Sequence, residues 1–146
     1  MRFKIFDKRF PAPHREEGNA GYDLFSRDEI ELLPGETGTV RLNFACEIPE
    51  GFVGLVFQRS STYRKWGVRL TNSVGVIDSS YCGDGDEWQA EFQNMTRNPM
   101  RINQGDKVCQ ALFMPVALPE LMQVASLGNE DRGGFGTSFD NAKELV

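Results

Sequence analysis

Short runs of β-branched and aromatic residues alternate along the chain with clusters of Gly, Pro, Asn and Asp. This pattern is typical of β-strands separated by turns. Few stretches have the spacing of apolar residues that marks an amphipathic helix. The pattern therefore predicts a mostly β protein, with strands at residues 1–7, 30–32, 37–48 (one long strand or a pair), 52–58, 68–72, 74–77, 88–95 and 107–116.

Two segments depart from the strand pattern. One short helical turn is expected at residues 61–66, because Gly67 follows it and can take the left-handed conformation that ends a helix. Residues 126–146 are Gly-rich and polar and lack a core pattern, which indicates a flexible C-terminal arm. We therefore predict an all-β fold, a distorted jelly-roll-like β barrel at residues 1–125, followed by that arm.

Composition narrows the classes of function. The chain has 146 residues, of which 40% are hydrophobic and 25% charged, as in one globular domain with a core. Its formal net charge of -5 argues against nonspecific binding of nucleic acid, although a few Arg in a cleft would suffice to bind one nucleotide. No apolar run approaches the roughly 20 residues that span a bilayer. The N-terminus has no secretory signal pattern, so we expect a cytoplasmic protein without membrane contact.

Cysteine and histidine content argues against several chemistries. The Cys count is odd and no CxxC occurs, so neither a disulfide framework nor a Cys zinc site is expected. His14 is the only histidine, which argues against Ser-His or Cys-His catalysis and against a zinc ion held by the protein.

Five polar or glycine-marked stretches carry the candidate chemistry. They are AGYDL at residues 20–24, QRSS at 58–61, NSVGVIDSSYCGD at 72–84, GDKVCQ at 105–110 and RGGFG at 132–136. In their order and approximate spacing they resemble the five motifs of the trimeric dUTP diphosphatase (dUTPase) family, over about residues 20–138. The most specific element is GVIDSSYCGD, which is similar to the third motif of that family.

The resemblance implies both a fold and an activity. Members of this family have a jelly-roll-like β barrel and are mostly homotrimers with sites between subunits. They hydrolyse dUTP to dUMP and diphosphate, which limits uracil incorporation into DNA and supplies dUMP for thymidylate synthesis. The Mg²⁺ cofactor is held mainly by the three phosphates and by water, so the resemblance implies no direct metal ligand from the protein.

In the third motif, the resemblance makes Asp78 the base that deprotonates the water attacking the α-phosphorus. The ring of Tyr81 would pack against the deoxyribose and leave no space for a 2′-hydroxyl. The Asn72 side chain and the backbone near Tyr81 would read the uracil edge. Gly75 and Gly83 would let the backbone of a hairpin bend closely around the base.

In the second and fourth motifs, the resemblance implies contacts with the phosphates. Arg59 would donate in a fork to phosphate oxygens, and Ser60, with Ser61 beside it, would add hydroxyl or amide donors. Gln110 would donate to the phosphate chain near the reacting centre. Asp23 of the first motif is expected to act indirectly, by positioning this region.

The arm and the segment after the third motif depart from the usual family pattern. The arm reads RGGFGTS, slightly shorter than the common RGxGGFGST, and residues 84–88 look like a small insertion. Arg132 is expected to reach the terminal phosphates when the arm closes. The aromatic lid over the base is expected to be either Phe135 of the arm or Phe92. The acidic residues of the insertion are expected to form a solvated turn rather than a metal site: Asp84, Asp86 and Glu87.

Two other functions are compatible with this fold. A dCTP deaminase, or a bifunctional relative, would typically use a Glu to activate water at the cytosine ring, whereas the third motif here offers Asp78 followed by Tyr81. A partner-binding module, for instance one that binds a repressor, could coexist with catalysis. If catalysis had been lost, we would expect Asp78, Arg59 or Tyr81 to be replaced, and all three are present. We therefore favour dUTP hydrolysis.

Overall fold

The computed structural model describes residues 1–133. Within this range the chain forms eleven strands and one short helix, and the strands pair in antiparallel fashion. In chain order the elements are β1 (Phe3–Lys4), β2 (Tyr22–Phe25), β3 (Ile30–Leu32), β4 (Thr37–Arg41), β5 (Ala45–Cys46), β6 (Phe52–Gln58), α1 (Thr62–Trp66), β7 (Val68–Leu70), β8 (Gly75–Ile77), β9 (Gln89–Asn94), β10 (Met100–Ile102) and β11 (Lys107–Pro115).

Two sheets form the main body of the molecule. One has the strand order β2-β11-β6-β8 and the other has the order β4-β9-β7, while β1 pairs with β5 and β10 with β3. Leu24 and Val56 of the first sheet and Val40 and Val68 of the second belong to a single buried hydrophobic cluster. The protein therefore has the predicted jelly-roll-like β fold.

Strand β9 shows how the sequence builds this core. Ala90, Phe92 and Asn94 are buried, whereas Glu91 between them is exposed. Successive side chains of a strand point to opposite faces, so the apolar positions of β9 all enter the core. Full burial of a large apolar side chain such as that of Phe92 contributes about 1.5–3 kcal/mol.

Trp88, immediately before β9, lies at the centre of the core. It is fully buried and meets the ring of Phe44 edge-on, with the ring centroids 5.0 Å apart. Gly54 in β6 makes room for the indole, because a Cβ at that position would lie 2.8 Å from Cη2 of Trp88. The glycine in this otherwise apolar strand is therefore explained by packing rather than by a turn.

Most predicted strands are present with shorter bounds, and residues 37–48 form two strands, β4 and β5. The predicted helical turn is α1, which Gly67 ends with a φ of 65°. The strands β2 and β10 are absent from the prediction, because they are short and carry charged residues that obscure the alternation. Within residues 1–133, no helix is long and apolar enough to cross a membrane.

Candidate active site

The order of strands in the four-stranded sheet brings three of the five motifs together. β11, which carries the fourth motif, lies between β2 of the first motif and β6, which leads into the second. Asp23 is directly opposite Gln110 in this pairing, and the Cβ atoms of opposite residues in antiparallel strands are about 5 Å apart. Arg59 directly follows β6, on the other side of β11. Three motifs that are distant in sequence thus share one end of one sheet.

The carboxylate of Asp23 links two cationic side chains at this end of the sheet. Its Oδ1 accepts a hydrogen bond from Nε of Arg59 at 2.7 Å, and its Oδ2 is 3.0 Å from Nζ of Lys107. Asp23 and Arg59 are partly buried, so solvent screens their interaction less than that of a fully exposed pair. Because Asp23 accepts its hydrogen bond from Nε, it orients the guanidinium plane of Arg59. The two terminal nitrogens of the guanidinium take no part in this hydrogen bond. Guanidinium groups held in this way bind phosphate oxygens in a fork.

Thr62 fixes the loop that follows β6. Its buried hydroxyl accepts a hydrogen bond from the backbone N–H of Arg59 at 3.2 Å and donates to the carbonyl of Val108 at 2.9 Å. These two bonds attach the second motif to β11. Ser60 is exposed beside this attachment, and Oγ of Ser61 lies 3.4 Å from Nη1 of Arg59. The loop therefore presents its donors from a fixed backbone.

These residues line a cleft of about 700 Å³. Its charged lining residues are the cations Arg59 and Lys107 and the carboxylates of Asp23 and Glu16. The half-buried amide of Gln110 donates only a long bond, 3.4 Å, to the carbonyl of Gln58. A concave site with cations, an amide and a hydroxyl suits a ligand that carries phosphates. The lining residues are His14, Glu16, Asn19, Ala20, Gly21, Asp23, Phe57, Gln58, Arg59, Ser60, Lys107, Gln110 and Leu112.

The third motif lies on the opposite edge of β6. In the antiparallel pairing of β8 with β6, Ile77 is opposite Gly54. Asp78 is the next residue, so it lies beside Val53. Arg59 comes six residues later in β6 and its loop, and a strand rises about 3.3 Å per residue, so Asp78 and Arg59 are about 20 Å apart along the strand. Asp78 and the cleft of one chain are therefore separate.

Asp78 and Tyr81 share a turn in this motif. The backbone N–H of Tyr81 donates to the carbonyl of Asp78 at 3.1 Å, and the Tyr81 hydroxyl donates to the backbone carbonyl of Glu87 at 3.3 Å. Asp78 is exposed at the end of β8, and 39% of Tyr81 is exposed. Both side chains are accessible to a ligand from outside the chain.

Asn72 and Gly75 precede this turn in the chain, and Gly83 follows it. Asn72 lies in an exposed turn between β7 and β8, and these strands belong to different sheets, so this part of the motif is a connection rather than a hairpin of paired strands. Gly75 packs closely on β6, since a Cβ there would lie 3.1 Å from Cβ of Val56. The N–H of Gly83 donates to Oδ2 of Asp86 at 2.7 Å, which closes the loop after Tyr81.

The structure contradicts two further expectations. Phe92 is fully buried in β9, so it cannot cover a base unless that strand leaves the core. Glu87 does not lie in a solvated turn, because it is 5% exposed and paired with Arg27. Arg132 is exposed near the end of the described range, and Phe135 lies outside the described residues.

Lys107 lies in the cleft, although it is not among the candidate residues that the sequence motifs indicate. A signal was available, because Lys107 is a basic residue in the fourth motif and precedes Gln110 by three positions. What the sequence does not reveal is that Lys107 and Arg59 share the carboxylate of Asp23, since that contact joins three separate segments.

The positions of the potential metal ligands can be compared with the Mg²⁺ that the resemblance implies. Among residues 1–133, no group of three or more His, Cys, Asp and Glu is placed to hold a metal ion. Both carboxylate oxygens of Asp23 are already engaged by cationic side chains. These residues fit an ion whose ligands are mostly phosphate and water oxygens, which is the usual situation for Mg²⁺ on a nucleotide.

A jelly-roll-like β fold with a cleft for a phosphate-bearing ligand defines the class of protein, and comparison with known proteins defines the family. A sequence model of the dUTPase family matches residues 8–139. The SPbeta prophage-derived deoxyuridine 5′-triphosphate nucleotidohydrolase YosS of Bacillus subtilis (strain 168) is 37% identical over 139 residues, which cover 94% of this chain and 96% of that protein. The chain therefore belongs to the dUTPase family.

Solved structures of phage dUTPases are similar to this chain. The Staphylococcus bacteriophage 80alpha dUTPase with dUPNHPP has a TM-score of 0.80 and 26% identity, and the match covers 92% of this chain and 95% of that one. A mutant dUTPase from phage phi11 of S. aureus, which coordinates a structural Mg(II) ion, has a TM-score of 0.77 and 26% identity, with 88% and 98% covered. The names of these relatives favour dUTP hydrolysis over the dCTP deaminase alternative.

Proposed function

We propose that this chain hydrolyses dUTP to dUMP and diphosphate in a site that a second copy of the chain completes. The observation that carries this proposal is the distance of about 20 Å between Asp78 and Arg59 along β6. A general base must come within hydrogen-bond reach of the water that attacks beside the phosphates. If the third motif of one copy lies over the cleft of another, Asp78 can come close to the phosphates in that cleft. This arrangement agrees with the homotrimer that the family resemblance implies.

The segment after β11 also supports assembly. Residues 116–127 form no strand or helix, and their large apolar side chains are strongly exposed: Leu121 94%, Met122 85% and Leu127 83%. Apolar surface of this extent is usually covered by a partner. A neighbouring copy in a homotrimer would cover it.

In the cleft, the phosphates are held by charge and by directed donors. Arg59 and Lys107 supply the positive charge, and Asp23 keeps Arg59 oriented. Ser60 and the amide of Gln110 add donors along the phosphate chain. When bound, Mg²⁺ would neutralise phosphate charge and would be held through phosphate and water oxygens, because both carboxylate oxygens of Asp23 already engage Arg59 and Lys107.

The chemical step requires one base and no covalent intermediate. Asp78 accepts a proton from water as the oxygen of that water bonds to the α-phosphorus. The bond from this phosphorus to the oxygen bridging it to the β-phosphorus breaks, and diphosphate leaves with the electron pair. Tyr81 packs against the deoxyribose and excludes a 2′-hydroxyl, while Asn72 reads the uracil edge.

The arm at residues 126–146 closes over the bound nucleotide in this proposal. Arg132 would reach the terminal phosphates, and Phe135 would cover the base. Removal of residues 128–146 should then lower kcat, because water enters the site and the terminal phosphates lose a cation. Diphosphate release measured on the truncated chain checks this, and full activity would contradict the role of the arm.

Asp78→Asn tests the central step. The amide keeps the shape of the side chain but cannot accept the proton, so turnover of dUTP should fall by about 10²–10⁴-fold while nucleotide binding is retained. Asp84→Asn is the matched control, because it removes an exposed carboxylate of the same loop region and should leave turnover unchanged. The assay is coupled diphosphate release with dUTP, UTP, dCTP and dTTP, with and without Mg²⁺. Unchanged turnover in Asp78→Asn, or ammonia from dCTP without diphosphate from dUTP, would refute the proposal.

Two further expectations belong to this proposal. We also propose that the protein is located in the cytoplasm. A repressor-type protein partner is compatible with catalysis, and pull-down with an immobilised candidate repressor in the presence and absence of dUTP would test it.

A further inference from the structure

Glu87 is a buried charged residue in the loop between the third motif and β9. Its carboxylate accepts hydrogen bonds from Nε of Arg27 at 2.8 Å, from Nη2 of the same guanidinium, and from the backbone N–H of Asn43 at 3.0 Å. The guanidinium carbon of Arg27 lies 5.4 Å from the centroid of the Phe6 ring. A buried carboxylate is costly unless it is paired and hydrogen-bonded. Glu87 meets both conditions, so its place is narrowly defined.

The backbone of the same residue holds Tyr81. The Tyr81 hydroxyl donates to the carbonyl of Glu87 at 3.3 Å, while the turn bond to Asp78 fixes only the Tyr81 backbone. The chain after Glu87 is fixed as well, because the N–H of Trp88 donates to the carbonyl of Phe44 at 2.8 Å. The end of the Tyr81 ring is therefore attached to a backbone segment that is held from both sides.

We propose that the ion pair of Arg27 and Glu87 is a positioning element for Tyr81 and thereby sets the preference for deoxyribose over ribose. The inference rests on the proposed contact of Tyr81 with the sugar. Exclusion of a single hydroxyl by steric conflict depends on the ring staying in place, because a ring that tilts away leaves room for the extra oxygen. The ion pair acts through the backbone carbonyl, so neither charged group needs to touch the nucleotide.

The geometry of the pair favours this role over stability alone. Buried ion pairs are often no more stabilising than well-packed apolar residues. A guanidinium that binds both carboxylate oxygens does fix the orientation of the carboxylate, and with it the adjoining backbone. Lys in place of Arg would keep the charge but lose this two-point contact.

Glu87→Gln, Arg27→Lys and Glu29→Gln test the inference on the full-length protein. The readout is the ratio of kcat/KM for dUTP to kcat/KM for UTP, with kcat and KM determined separately. Glu87→Gln should lower this ratio by about tenfold, mainly through a higher kcat/KM for UTP, and Arg27→Lys should give a smaller fall in the same direction. Glu29→Gln breaks the exposed pair of Glu29 with Arg101 and should leave the ratio at the wild-type value.

Tyr81→Phe removes only the hydroxyl and keeps the inference testable if Glu87→Gln fails to fold. It should lower the ratio as well, and adding Glu87→Gln to Tyr81→Phe should lower it no further, because both changes break the same link. As a readout independent of activity, the ¹⁹F resonance of 3-fluorotyrosine at Tyr81, assigned by its loss in Tyr81→Phe, should shift in Glu87→Gln and not in Glu29→Gln.

Tyr81→Ala separates the two possible failures. If Tyr81→Ala keeps the wild-type ratio, the proposed sugar contact fails and the inference fails with it. If Tyr81→Ala loses selectivity while Glu87→Gln, Arg27→Lys and Tyr81→Phe all retain it, the positioning role alone is overturned. A fall in thermal stability with an unchanged ratio overturns it in the same way, because the pair would then be only structural.

Discussion

Replacement of Gly21 by Ala would test whether the amide of Gln110 must be in place for catalysis. A Cβ at position 21 would lie 2.4 Å from Oε1 of Gln110 and 3.2 Å from its Cβ and Cδ. Ordinary van der Waals contact begins at 3.4 Å, so the end of the Gln110 side chain must move by about 1 Å. That side chain is the proposed donor near the reacting centre, and a misplacement of this size costs about 10²-fold in rate.

The same substitution should cost little stability. Gly21 does not have the positive φ that a side chain resists, and the clashing atom ends a flexible, half-buried side chain. We therefore expect a loss below the 1–3 kcal/mol that is typical of overpacking in a rigid core. The Gly21→Ala variant should remain folded, with kcat reduced by about 10–100-fold and KM changed less.

Coupled diphosphate release with dUTP gives kcat and KM, and urea unfolding gives the free energy of unfolding. Gly85→Ala is the control, because a Cβ at Gly85 meets no atom within 4 Å. In a Gln110→Ala background, Gly21→Ala should have no further effect on kcat, since the group that it displaces is gone. An undiminished kcat in Gly21→Ala, or effects that add in the double variant, would refute the reasoning.

Two other predictions concern Asp7 and the three cysteines. Hydrogen bonds from Arg9 lower the pKa of Asp7 from 3.8 to about 2. Its carboxylate therefore stabilises the fold fully above about pH 4, and this contribution is lost as the pH falls through about 2. Asp7→Asn should lower the free energy of unfolding in urea at pH 7, and the difference from wild type should shrink steadily between about pH 4 and pH 2; a difference that is the same at pH 2 as at pH 7 would contradict the assignment. Cys82 is exposed, whereas burial raises the pKa of the Cys46 thiol to about 11 and that of the Cys109 thiol still further. A disulfide reagent should therefore label one thiol per folded chain and three after unfolding. Fast labelling of a second thiol in the folded state would count against this burial.

Local features could be read from the sequence because local forces decide them. The apolar run of β6 and the turn residues on both sides give that strand its predicted bounds. Gly67 ends α1 because only a residue that tolerates positive φ suits that position. The residues AGYDL, QRSS, GVIDSSYCGD and GDKVCQ can be recognised without any structure, and the family assignment agrees with them.

The burial of individual side chains was predicted less well, because the residues near a position in sequence do not show which side chains face it in the fold. Phe92 has the same local surroundings whether it covers a ligand or enters the core, and the alternation of β9 against β4 and β7 places it in the core. Glu87 belongs to an acidic run that is usually solvated, yet Arg27, sixty positions away, makes its burial acceptable.

The sequence by itself determined that the chain is built from short strands, where its turns lie, and which motifs it carries, because backbone propensity and side-chain alternation act between near neighbours. Only the tertiary structure decided which motifs meet. β6 pairs with β11 on one side and with β8 on the other, and this arrangement brings Asp23, Arg59 and Gln110 together while it leaves Asp78 about 20 Å away. Strand partners and register are set by packing over the whole chain, and no strand specifies its neighbours through its own residues alone.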